Sequence, residues 1–150
     1  MGSWGFSLFS NDDAMDLLVD LAEMDDEEKA EHLREILTDA LNPSPVERVW
    51  PNLVLAAAGI IALALPGGGI VLGDTEHDFD AGAAENAEDE WAAAILREPD
   101  AGMVRLALEA LNRVTRAGSE WFESWQIESN RIIGLTHVEH AAQVLRRATA

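Results

Sequence analysis

Ala14, Leu17, Leu18 and Leu21 recur at i, i+3, i+4 and i+7, backed by Asp16, Asp20 and Glu23 on the opposite side. That spacing predicts an amphipathic surface helix, because positions three and four apart share one face at 3.6 residues per turn. Asn11 is placed to cap it, and Asp12 and Asp13 fall in the first turn, where carboxylates favour the positive end of the macrodipole. A second helix is expected from about Asp25 or Asp26, with Ala30, Leu33, Ile36, Leu37, Ala40 and Leu41 on its buried side. Asn42-Pro43 ends it, since the residue before proline is disfavoured in the α region.

Pro43, Pro45 and Pro51 bracket a loop, and Leu53 to Gly73 then runs for 21 residues without a charge. The unbroken apolar part, Leu53 to Leu65, spans roughly 20 Å as a helix, against roughly 30 Å of bilayer hydrocarbon. Pro66-Gly67-Gly68-Gly69 follows it, and no basic cluster flanks it. The segment reads as a central core helix, with Ala56, Ala57, Ala58 and Gly59 letting neighbours approach closely. Ile70, Val71 and Leu72 are β-prone but too few for more than an extended strap.

Past a polar stretch from Asp74, a short helix is expected over about Ala84 to Leu96, burying Trp91, Ala94 and Ile95. Glu98-Pro99-Asp100 punctuates the chain, and Met103, Leu106, Ala107, Ala110, Leu111 and Val114 mark the next helix. Arg113, Arg116 and Gly118 suit its C-terminus. Ser119 is placed to cap a helix carrying Trp121, Phe122 and Trp125, with Trp121 and Trp125 one turn apart on the same face. Thr136 with Glu139 three residues on matches a capping box, which starts the last helix at Thr136. Six to seven helices with short connections and no hairpin signal predict an all-α fold. A single compact domain over 1–150, built around the alanine-rich apolar helix, is the expected arrangement, and 48% hydrophobic residues suffice for its core.

Charge changes the picture more than size does. The chain has 28 acidic residues, 10 basic ones and a formal net charge of −18, and Lys29 is its lone lysine. Such a field repels phosphate backbones and anionic lipid, which argues against direct nucleic-acid or membrane binding and favours a basic partner. The plain alternative is that acidity only keeps the protein soluble. No cysteine is present, and the N-terminus meets Asp12 and Asp13 without a basic n-region, so a cytoplasmic protein without a signal peptide is expected.

Clustered hard oxygens are what Ca²⁺ or Mg²⁺ requires, and Asp74, Glu76, Asp78, Asp80 and Glu85 supply them at positions one, three, five, seven and twelve of an EF-hand register. Phe79 nevertheless occupies the sixth position, where glycine permits the turn, so a solvated acidic loop is the competing reading. His137 and His140 have a spacing at which two imidazoles can share a metal, without a third ligand nearby. His77 and His32 have no nucleophile beside them. No nucleophile elbow, phosphate-binding loop or dinucleotide fingerprint occurs, so no catalytic residue and no cofactor is expected. Trp121 and Trp125 read as core packing, and Trp4, with Phe6 and Phe9, as an anchor tucking the N-terminal strap into the core.

The opening string Met1-Gly2-Ser3-Trp4-Gly5-Phe6-Ser7-Leu8-Phe9-Ser10-Asn11-Asp12-Asp13-Ala14 resembles the start of a bacterial family, the Domain of Unknown Function 4259 family. Its members begin Met-Gly-x-Trp-Gly, then a Phe, then Asn-Asp-x-Ala. The likeness extends loosely over the alanine-rich helix, the Leu108 to Val114 helix and the Ser119 to Trp125 segment, and departs most between Gly67 and Gly82. It implies that Met1-Gly2-Ser3 is native, and it implies no activity, cofactor or site residue. Function must therefore be sought in the charge. Glu23, Asp25, Asp26, Glu27, Glu28 and Glu31 form its densest cluster, and a non-enzymatic interaction module, immunity- or inhibitor-like, is the leading expectation. The alternative is a metal-dependent enzyme using the 74–85 loop and the histidines.

Overall fold

The computed structural model describes residues 12–42, 51–65 and 99–149. Among these the secondary structure is wholly helical: α1 (Asp12–Ala22), α2 (Asp26–Leu41), α3 (Pro51–Leu63), α4 (Ala101–Thr115), α5 (Glu120–Ser124) and α6 (Glu128–Thr149). The all-α expectation holds. The expected strap at 70–72, the helix at 84–96, the Asn11 cap and the Trp4 anchor lie outside the described residues.

α3 is the centre because it has no polar face to turn outward. Val54 through Ala62 are all buried, and the helix packs against α1, α2, α4, α5 and α6. Its small side chains at Ala56, Ala57 and Ala58, each 0% exposed, leave room for that many neighbours. Pro51 opens α3 rather than standing outside it, since a first-turn residue needs no amide hydrogen. The amides of Ala64 and Leu65 close a tighter turn on the carbonyls of Ile61 and Ala62.

α1 lays Ala14, Leu17, Leu18 and Leu21 on this centre and turns Asp16 and Asp20 to water. The Asp25 carboxylate then accepts from the Glu28 amide at 2.8 Å and starts α2. Asp100 does the same for α4, accepting from the Met103 amide at 2.8 Å. Its second oxygen meets Arg34 at 3.2 Å and links α2 to α4. α4 lies between α2 and α6, with α3 packed on all three. After α4 the chain reverses through Gly118, whose φ of +86° is a left-handed conformation that favours glycine. Ser119 then caps α5, accepting from the Phe122 amide at 3.2 Å.

Two expectations fail here. The last helix starts at Glu128, not at Thr136. Thr136 sits inside it and donates its hydroxyl to the Ile132 carbonyl at 3.0 Å, so it caps nothing. Trp121 and Trp125 do not share a helix face, because α5 ends at Ser124 and Trp125 is extended. The two indoles meet edge to face with centroids 5.7 Å apart. Trp125 also lies against the backbone of α6: a Cβ placed on Gly134 would stand 2.7 Å from its Cζ2 atom. Arg131 rests 4.3 Å above the Phe122 ring and fastens the start of α6 to α5.

Candidate functional site

All six residues of the acidic cluster are exposed. Glu23 follows the last turn of α1, Asp25 caps α2, Asp26, Glu27 and Glu28 form the first turn of α2, and Glu31 stands one turn on. Helix formation explains why carboxylates are tolerated so densely here, because the unpaired amides and dipole of the α2 N-terminus offset part of their repulsion. Local structure engages only some of them. Asp25 serves as cap, and Asp26 stands 4.0 Å from the Lys29 ammonium, whose side chain is 10% exposed. Burial of Lys29 leaves no outward cation between positions 23 and 31.

Among the described residues charge is segregated between the two ends of the chain. Residues 12–42 carry twelve carboxylates against Lys29 and Arg34, a net of −10, whereas residues 99–149 carry six acids and six arginines, a net of zero. α1 and the start of α2 are thus strongly negative, and α4 to α6 are neutral. At physiological ionic strength the Debye length is about 8 Å, less than the thickness of a helix with its side chains, so among the described helices the charge of α1 and α2 is largely screened from the far side of α6.

The other candidate sites fare differently. Asp74, Glu76, Asp78, Asp80 and Glu85 lie outside the described residues, as does His77. His137 and His140 are not in a first turn but in the middle of α6, their rings edge-on with centroids 6.3 Å apart. Among the described residues no three histidines or carboxylates converge as a metal site would require. No described helix is long and apolar enough to cross a membrane.

One feature escaped sequence reasoning. An open cleft of about 570 Å³ runs between the end of α4, at Asn112, Thr115 and Arg116, and the α6 residues from Ile132 to Gln143. Its signal was Ile132, which lines it and is 57% exposed. Starting α6 at Thr136 leaves this isoleucine in a loop and hides the face to which it belongs.

A helical domain with a segregated acidic edge is the class that fold and surface define. Residues 2–131 match the family model described as domain of unknown function (DUF4259), and the chain belongs to that family. The comparisons with curated proteins and with solved structures returned no match.

Proposed function

We propose that the chain is a non-enzymatic interaction module that docks a basic protein through the acidic edge formed by the end of α1 and the start of α2. The observation that carries this reading is the concentration of six exposed carboxylates within nine positions, 23 to 31, in which the sole cation, Lys29, is buried. The cap at Asp25 and the helix dipole favour Asp26, Glu27 and Glu28 in the first turn, but neither calls for Glu23 and Glu31 beside them, where like charges repel. A partner bearing lysines and arginines would relieve that repulsion and be steered toward it. In its sharper form the module is immunity- or inhibitor-like, covering the cationic surface of a toxin or nucleic-acid enzyme.

The test is a paired capture from host extract, using the wild type and a variant carrying Asp25→Asn, Asp26→Asn, Glu27→Gln and Glu28→Gln as baits. Asparagine at position 25 retains the cap, so the variant keeps α2 while losing four charges. A basic protein held by the wild type and lost from the variant supports the reading. Equal retention on both baits, or retention of acidic proteins alone, refutes it.

A further inference from the structure

α1 carries a second apolar row besides the one it buries. Met15, Val19 and Ala22 are spaced four and three residues apart, the spacing of a helix–helix seam. Met15 is half-buried against the core, whereas Val19 and Ala22 are exposed. Among the described residues Val19, at 52%, is the only large hydrophobic side chain so exposed before residue 127. Asp16, Asp20 and Glu23 each follow one residue of this row, so carboxylates run along one flank of it. All three are exposed, and none has an ion-pair partner among the described residues. Solubility accounts for the carboxylates but not for an exposed apolar row beside them.

We propose that this row is a docking seam for an amphipathic basic helix. The helix belongs to the basic protein that docks on the acidic edge, so the seam rests on that reading, and Glu23 is common to both. Apolar side chains at the same four- and three-residue spacing pack on Met15, Val19 and Ala22 and remove Val19 from water. Lysines or arginines beside them meet Asp16, Asp20 and Glu23, on the flank where paired helices place opposite charges. An extended segment does not match, because its side chains alternate every two residues. A second copy is disfavoured, since it would bring its own carboxylates to a chain of net charge −18. The seam is short, so the apolar contact is small, charge supplies much of the attraction, and binding is reversible.

Fluorescence anisotropy of two labelled peptides against the full chain at about 0.15 M ionic strength tests the seam. One peptide carries about three heptads with leucine at the seam positions and lysine on both flanks. Its control has the same composition in scrambled order, and hence the same charge. The seam peptide should bind at least about tenfold more tightly than the control. Val19→Glu then separates the two causes by sign. It adds a carboxylate, so attraction by charge alone predicts tighter binding, whereas the seam predicts a loss of about tenfold or more from a charge forced into an apolar contact. Val19 is exposed, so circular dichroism should show unchanged helicity. Equal affinity for the two peptides, tighter binding by Val19→Glu, or no binding of the seam peptide up to about 1 mM overturns the proposal. So does self-association of the chain that Val19→Glu abolishes, which would give the row to a second copy. The variant with Asp25→Asn, Asp26→Asn, Glu27→Gln and Glu28→Gln tells the two readings apart. Equal binding of both peptides that this variant abolishes removes the seam and keeps the acidic edge. Seam-peptide binding that it leaves unchanged, but that Val19→Glu abolishes, keeps the seam and removes α2 from the docking surface.

Discussion

Gly134 is the position where local preference and tertiary packing oppose each other most clearly. Glycine inside a helix costs about 1 kcal/mol relative to alanine, so Gly134→Ala should stabilise α6 if nothing else were touched. Packing decides otherwise. The added Cβ would lie 2.7 Å from Trp125 Cζ2, 3.2 Å from Cη2 and 3.3 Å from Cε2, well inside the roughly 3.5 to 4.0 Å at which carbon atoms rest. The indole would have to move, giving up an edge-to-face contact with Trp121 that is worth about 0.5 to 1.5 kcal/mol. Overpacking of this kind costs about 1 to 3 kcal/mol, which offsets the helix preference and leaves a net loss of up to about 2 kcal/mol. Urea unfolding should show a lower midpoint with an unchanged slope. In a Trp125→Ala background the same substitution should raise stability by about 1 kcal/mol, because only the helix preference remains. Stabilisation by Gly134→Ala in the otherwise unaltered protein, or the same sign in both backgrounds, would refute the packing argument.

Two further substitutions probe the helix ends. Asp100→Ala removes the cap of α4 and the link to Arg34, and should cost about 1 kcal/mol in thermal or urea unfolding; Asp100→Asn should recover most of it, because the exposed ion pair is worth little. Thr136→Ala should change stability by less than about 0.5 kcal/mol, or raise it, whereas a capping threonine would cost about 1 kcal/mol; a loss of that larger size would contradict its place inside α6.

Much of the fold was legible because long apolar stripes have one interpretation. The stripe of α1, the start of α2 near Asp25 and the all-round apolar α3 follow from hydrophobic periodicity, and the cap at Ser119 from the chemistry of orphan amides. The start of α6 was not legible, since Thr-x-x-Glu is a short pattern that also occurs within helices, and Gly134 just before it imitates a break. Whether it caps depends on tertiary context: here Arg131 on Phe122 and Trp125 on Gly134 hold the preceding turns helical. Trp121 and Trp125 misled for a related reason, because the end of a five-residue helix leaves no clear mark in local sequence. The acidic edge was visible as composition, but its contrast with a neutral α4 to α6 required the fold. Lys29 shows the same dependence, a lysine inside an acidic run that proves to be buried.

The central claim is that the acidic edge is a docking surface and not only a solubilising one, and association kinetics test it most directly. The basic partner captured by the wild type should bind at an on-rate that falls steeply between low and physiological salt, because steering acts through a screened field. The variant with Asp25→Asn, Asp26→Asn, Glu27→Gln and Glu28→Gln should bind more slowly at low salt and lose most of that dependence. An on-rate indifferent both to salt and to the four substitutions would contradict the account and leave solubility as the role of the charge.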